Sequence, residues 1–325
     1  MKLDTGFEGS LENLGEWARS IESSGRFDGL WVSDTTNDPF LLSTVVALQT
    51  ESMRLGTNIA VAFARSPYCV AQTAYNLAQV SRGRFTLGLG TQVRAHVQKR
   101  FSMTWPAKPI AALVEYVQLL RHLFDCFDQQ TRPQFRGTYY QCTLNSPVFS
   151  PDRHDFGHPK VGFSAVGPSA TKAAGQVADA VFLHPFTHLK YVREVTLPAL
   201  EAGRVQREKS LGELEVVGNC YCLATDSPTF EEKRRAVLQR LAFYASTPNY
   251  LAVLESLGLK ELHTELHALS RKGAWHEMAR CLPAELIEAC VVMAPQDSLL
   301  QALEQRFGTV YDRVVIDSSL IVEQS

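Results

Sequence analysis

The run "RFTLGLGTQVR", residues 84–94, passes from a short apolar strand into Gly88-Leu89-Gly90 and then turns polar. A GxG directly after a strand is how a dinucleotide-binding turn begins. That motif needs a third glycine three places beyond the second, where the helix packs closely on the strand, and here the position is Val93. It also needs an acidic residue about 20 positions further on, at the end of a second strand. The chain there reads "PIAALVEYVQLL" (109–120), a helical pattern. The dinucleotide reading fails on both counts. The glycines either simply close a strand or keep side chains away from the mouth of another parallel-strand fold, where a flat ring would be crowded.

On both sides of this run, strand-like segments alternate with helical periodicity. "KLDTGF" (2–7) precedes Ser10, an expected N-cap, and a helix with Leu11, Leu14, Trp17 and Ile21 on one face. "GLWVSD" (29–34), a helix near 40–51 and "RLGTNIAVAF" (54–63) follow; Ser66-Pro67 then opens a helix that closes near Gly83. Beyond 84–94, Ile110, Leu113, Val114, Val117 and Leu120 fall at helical spacing. After a loop at about 131–159 come "KVGFSAVG" (160–167), a helix from Pro168, "AVFLHP" (180–185), a helix containing Pro198 and "LEVVGNCYCLA" (214–224), read as one strand. Ser227-Pro228 starts another helix, Asp297 is expected to cap a late one, and "YDRVVIDS" (311–318) is the last strand.

The strands are apolar on both faces, as strands buried in a parallel sheet are. There are eight, the number that closes a (β/α) barrel. The expectation is one α/β domain over 1–325, a (β/α)8 TIM barrel. A helical insertion at about 248–290, between strand seven and the last helix–strand unit, would lie at its mouth.

Composition agrees with this class. The chain has 325 residues, 45% hydrophobic and 20% charged, enough for a barrel of about 250 residues plus insertions. The formal net charge is -2 and no basic stripe is visible, which argues against nucleic acid as a partner. The first residues lack the apolar core of a signal peptide, and no apolar run approaches the ~20 residues of a membrane span. Seven scattered cysteines without a C-x-x-C fit a reduced, cytoplasmic chain with buried thiols.

A barrel of this kind carries its active site at the carboxyl ends of the strands. Those ends hold Asp34 to Asp38, Asn58 to Phe63, Gly88 to Gln92, Val166 to Ser169, and His184-Pro185. The set is polar and glycine-bearing but poor in titratable groups, which suits a cofactor that brings its own chemistry. It suits hydrolysis by paired acids or a metal less well. His154/His158 and His263/His267 have i,i+4 spacing, but "HTELH" displaces the glutamate of the zinc-protease motif, so no metal is expected. Gly167 would let backbone approach an anion, and Pro168-Ser169 open a helix whose free N–H groups and positive dipole end favour phosphate. An ordinary strand-to-helix turn explains the same residues. His96, Lys99 and Arg100 form either an anionic-tail site or a solvated face; Phe63, Tyr68 and Trp105 either line a substrate pocket or pack in the core.

Six segments in order, "DGLWVSDTTNDPF" (28–40), "RLGTNIAVAFARSP" (54–67), "GRFTLGLGTQV" (83–93), "SAVGP" (164–168), "ADAVFLHPF" (178–186) and "VTLPALE" (195–201), carry a resemblance over nearly the whole chain. It resembles the bacterial luciferase-like monooxygenase superfamily, and within it the deazaflavin (coenzyme F420)-dependent oxidoreductases. The resemblance implies a TIM barrel, usually homodimeric, that binds the cofactor across its carboxyl-terminal mouth. It also implies a non-proline cis peptide at Asn58–Ile59 behind the ring, Gly90, Thr91 and Gln92 beside it, and Val166, Gly167, Pro168 and Ser169 at its phosphate. Asp34 matches an acidic position that contacts cofactor, with Thr35 next to it where related sugar-phosphate dehydrogenases have a catalytic histidine. Asn37 stands where a further histidine is expected before "DPF". Asp34 and His184 are then the candidates for proton handling. The expected activity is hydride transfer between coenzyme F420 and a small organic substrate. The alternatives are an FMN-dependent monooxygenase using reduced flavin and O2, or a non-catalytic flavin-binding protein.

Overall fold

Thirteen strands order the chain in a computed structural model that describes residues 1–7, 9–208 and 211–320. They are β1 (Lys2–Gly6), β2 (Gly29–Val32), β3 (Arg54–Thr57), β4 (Ala60–Val61), β5 (Phe85–Gly90), β6 (Phe135–Arg136), β7 (Gln141–Cys142), β8 (Lys160–Ala165), β9 (Ala180–Leu183), β10 (Glu215–Asn219), β11 (Tyr221–Ala224), β12 (Val291–Ala294) and β13 (Arg313–Asp317). Nine of them form a parallel sheet in the order β3-β2-β1-β13-β10-β9-β8-β5-β4, and β3 also pairs with β5, which closes the ring. β3 and β4 are one stave interrupted at Asn58-Ile59, so the barrel has eight staves. It is the expected TIM barrel.

The interior is a packed plug of Trp31, Ala180, Phe182, Val217 and Val315. Trp31 and Phe182 meet edge to face, with centroids 5.0 Å apart. Two such rings fit only because the facing strands carry glycine. A Cβ on Gly88 would lie 2.1 Å from the Thr57 carbonyl oxygen and 2.8 Å from the Phe182 ring, and one on Gly162 would lie 2.2 Å from that ring. The mouth reading of Gly88 is therefore corrected: its glycine is demanded by core packing below the mouth. At Gly90 a Cβ would lie 2.8 Å from Ile59 Cδ1, so a protein side chain already crowds that position.

Proline at the first or second position begins the helices Pro39–Gln49, Pro67–Val80, Pro109–Gln129 and Pro168–Val177, where its missing N–H costs nothing. Asp38 caps the first of these, accepting from the N–H groups of Phe40 (2.9 Å) and Leu41 (3.2 Å). The expected caps Ser10 and Asp297 are corrected. Each lies where a 3-10 turn precedes the helix, and Ser10 and Pro295 accept the first N–H bonds through backbone carbonyls instead. Ser66 occupies the cap position without a side-chain bond.

The run 214–224 is two strands. The chain leaves the barrel after Asn219, and β11 pairs in parallel with β12, Tyr221 opposite Val291. β12 escaped the sequence reading because it continues directly from the helix Ala284–Cys290 with no turn residue between them. The insertion is helical (Leu251–Glu255, Lys260–Arg271, Trp275–Met278, Ala284–Cys290). With the helix Phe230–Ala245 it packs around its own apolar cluster, which includes Leu241, Val253, Leu266 and Leu286 and takes in Phe186 and Tyr191 from beyond β9.

Candidate active site at the carboxyl-terminal mouth

The mouth is organised around the interrupted stave. The Asn58–Ile59 peptide is cis, as the resemblance implies, and its neighbours are tied on both sides. Ser33 Oγ donates to the Asn58 carbonyl (2.9 Å), and the Asp34 N–H donates to the Ile59 carbonyl (3.2 Å). Asn58 Nδ2 donates across the barrel to Asn219 Oδ1 (2.6 Å), and Asn219 Nδ2 donates to the Leu183 carbonyl (2.8 Å). The ends of β3, β10 and β9 are thus stitched into a polar floor.

One oxygen of the Asp34 carboxylate accepts both the Val61 N–H (3.0 Å) and the Arg65 guanidinium (2.5 Å). Arg65 also pairs with Asp38 at 2.8 Å and lies over the Phe40 ring. Burial opposes the charge on Arg65, but the two aspartates outweigh it and raise its pKa. At Asp38 the Arg65 pair and two helix N–H bonds likewise outweigh burial and hold the carboxyl below its ordinary value. This cluster commits both carboxylates to fixing the loop after β2. Thr35 is exposed, and its carbonyl accepts from Arg100 (2.6 Å). Asn37 Nδ2 donates to Thr36 Oγ1.

Gly90, Thr91 and Gln92 follow β5 onto the same rim, with Gln92 in the left-handed region (φ 58°) and its side chain accepting the Val93 N–H. Beyond β8, Val166 and Gly167 lead into the helix Pro168–Val177. Gly167 holds its N-cap position with no side-chain cap, and a Cβ built there meets nothing within 4 Å. Thr171 is the first residue of that turn whose N–H is bonded, to the Gly167 carbonyl. Among the described residues the N–H groups of Ser169 and Ala170 have no partner, which leaves an open, positively polarised helix end.

His184 stands at the end of β9. Its Nδ1 accepts the Phe186 N–H (3.0 Å), so the ring proton sits on Nε2, which is free among the described residues. Burial draws its pKa down to about 3, and the imidazole is neutral at physiological pH. Tyr244 (4.3 Å between ring centroids) and Tyr250 (4.7 Å), one from the helix Phe230–Ala245 and one from the insertion, pack against it.

Sequence reasoning missed Arg65, Asn219, Tyr244 and Tyr250. Arg65 and Asn219 were the polar ends of apolar runs. The tyrosines carried no signal, because their proximity to His184 exists only once the insertion folds over β9. The remaining candidates lie elsewhere. Tyr68 bonds the 131–159 loop through the Phe149 carbonyl, and Phe63 packs edge-on against Trp105. His263 and His267 donate through Nδ1 to the last carbonyls of the Phe230–Ala245 turn, Ala245 (2.8 Å) and Ser246 (3.0 Å). Among the described residues no helix is long and apolar enough to cross a membrane.

The family model for luciferase-like monooxygenase matches residues 2–313. An uncharacterised protein of Mycobacterium tuberculosis is 37% identical over 318 residues, covering 97% of this chain and 92% of its own. The 5,10-methylenetetrahydromethanopterin reductase of Archaeoglobus fulgidus is 24% identical over 94% of this chain and 89% of its own. The solved coenzyme F420 dependent tetrahydromethanopterin reductase from Methanopyrus kandleri superposes with a TM-score of 0.78 at 18% identity, covering 98% of this chain and 93% of that one. The chain belongs to the luciferase-like monooxygenase family.

Proposed function

We propose that this member of the luciferase-like monooxygenase family is an oxidoreductase that moves a hydride between coenzyme F420 and a small organic substrate. The observation that carries this is the conjunction, at one barrel mouth, of an open helix end and a neutral, proton-bearing imidazole. The similarity to the two tetrahydromethanopterin reductases supports the choice of cofactor. The residues present fit such a group: a Cβ would project into open space at Gly167, and two helix N–H groups there lack partners among the described residues. In this reading Val166, Gly167, Pro168 and Ser169 hold its phosphate. Asn58, Ile59, Gly90, Thr91 and Gln92 face its ring. When bound, the deazaflavin supplies the hydride chemistry.

The protein supplies orientation and a fixed electrostatic environment. Nε2 of His184, kept protonated because the Phe186 N–H occupies Nδ1, donates to a substrate oxygen where charge develops. A neutral imidazole held this way polarises a carbonyl without having to be protonated first. Asp34, bound to Arg65 and to the Val61 N–H, keeps the cis segment in place rather than carrying a proton. The proposal includes a homodimer. The helix Pro39–Gln49 is apolar on its outward face as well as its inward one, with Leu41 50% and Leu48 67% exposed, and a second copy would cover it.

The family match also supports a second reading, an FMN-dependent monooxygenase. The two separate under argon. Reduced deazaflavin mixed with the protein and a panel of small carbonyl compounds should be reoxidised without O2, and His184→Phe should slow this about 10²–10³-fold. Turnover only with reduced FMN and only in air would replace the hydride reading with oxygenation.

A further inference from the structure

The wall around His184 differs in kind from the rest of the mouth. β9 stands four staves from β2 in the closed ring, so His184 lies across the barrel from the loop that holds Asp34 and Asp38. The charges on that far side are occupied with one another, Arg65 taking both aspartates. On the near side the insertion brings aromatic rings instead. Tyr244 meets the His184 ring edge to face, Tyr250 meets both His184 and Phe186, and the two tyrosines lie 5.2 Å apart between centroids.

The loop after β9 fixes this arrangement. His188 is buried, and its Nδ1 accepts the Tyr191 N–H (3.2 Å), so its Nε2 donates to the Val253 carbonyl (3.2 Å). Val253 lies in the helix Leu251–Glu255, which begins directly after Tyr250. Phe186 and His188 thus grip the insertion from the same loop that carries His184.

Three hydrogen-bond donors are left on the wall. His184 Nε2 and the hydroxyls of Tyr244 and Tyr250 have no partner among the described residues, and none of the three is sealed from solvent. Burial holds both phenols above their ordinary pKa, so each keeps its proton. No charge accompanies these donors at His184, whose displacement comes from burial alone. Arg240, exposed and one helical turn before Tyr244, acts on Tyr221 and Tyr244 but not on Tyr250 or His184. An anionic group placed against His184 would lose its water without gaining a partner of opposite sign.

We propose that the insertion makes the His184 side of the mouth selective for an uncharged, flat aromatic carbonyl compound, with Tyr244 and Tyr250 as specificity-determining residues. The inference rests on the hydride reading for its chemistry and concerns recognition alone. The rings of the wall meet at 47–75°, and a substrate ring extends the same tilted packing. The neutral donors suit a carbonyl oxygen. A carboxylate or phosphate on the substrate finds no countercharge there.

The test compares acetophenone with 4-acetylbenzoate, which adds a carboxylate to the same ring and carbonyl, and with acetone, which lacks the ring. Two readouts are taken on the full-length protein: anaerobic oxidation of reduced coenzyme F420, and displacement of the His184 imidazole NMR signals with and without oxidised coenzyme F420. Acetophenone should bind and react about a hundred-fold better than 4-acetylbenzoate and about ten-fold better than acetone. Tyr250→Leu should raise the KM for acetophenone about five-fold, more than it lowers kcat. Tyr250→Phe, which keeps the ring, should retain most of the preference over acetone. Acetophenone binding at His184 without hydride transfer would contradict the hydride reading and leave the wall standing. Use of 4-acetylbenzoate or acetone as readily as acetophenone, or no acetophenone binding at all, would overturn the wall whichever cofactor is used.

Discussion

At the scale of single residues, two groups whose pKa values are both displaced downward, one by hydrogen bonds to its charged form and one by burial, carry different duties. Glu22 accepts the N–H groups of Glu51, Ser52 and Met53 and the Ser52 hydroxyl. Burial pushes this carboxyl up, but the four donors outweigh it and hold it below its ordinary value of 4.5. Its stabilising effect is therefore complete above pH 4.5 and is lost as the pH falls through the folded value. Glu22→Gln should lower the melting temperature by about 2 °C at pH 7, and the gap should narrow in scans below pH 4.5; a gap independent of pH would contradict the assignment. His184 is displaced downward by burial. If it works as a neutral donor, the pH profile of kcat/KM should show no imidazole inflection between pH 5 and 8. Of these residues, His184 and the Asn58–Ile59 cis bond were legible in the sequence through the resemblance. The duties of Glu22 and Arg65 were not, since each is defined by a partner about 30 residues away.

At the scale of elements, local chemistry told a good deal. Prolines marked helix starts, and apolar runs marked staves. What failed to show was where a strand changes sheet. "LEVVGNCYCLA" keeps its apolar character through Cys220, yet the chain turns out of the barrel there, because β12 offers Tyr221–Ala224 a partner that no local pattern announces. The same detour brings the insertion over β9 and places Tyr250 on His184. Tyr250→Ala should open this wall to water. The His184 pKa should then climb from about 3 toward its ordinary 6.5, and the pH profile should acquire an inflection between pH 5 and 7. NMR titration of the imidazole would register the same change without any turnover. An unmoved pKa would mean that the insertion does not shield the histidine.

At the scale of the whole molecule, the barrel was readable from the alternation of strands and helices and from eight apolar runs. The polar floor was not, because Asn58 and Asn219 stand 161 residues apart and only ring closure brings them together. Gly88 is instructive in the same way. Its position in a GxG pointed to a ligand, whereas the ring it accommodates is Phe182, two staves further along the chain. The outward apolar face of the helix Pro39–Gln49 belongs to this scale too. Replacing Leu41 and Leu48 together by glutamate should weaken a dimer at least about a hundred-fold. Sedimentation velocity would then show monomers for the variant and dimers for the wild type, while a wild type that sediments as a monomer would remove the homodimer from the account.

The central claim is that the carboxyl-terminal mouth holds a deazaflavin by its phosphate at the helix end after Gly167. The most direct measurement is fluorescence titration of wild type and Gly167→Asp, in parallel, with coenzyme F420 and with FMN. Open space at that Cβ means that the aspartate can be accommodated, while its charge opposes the phosphate. The account predicts that the wild type binds the deazaflavin in preference to FMN and that the variant loses this binding while melting normally. A wild type that binds neither cofactor, or a variant that binds coenzyme F420 as tightly as the wild type, would contradict it.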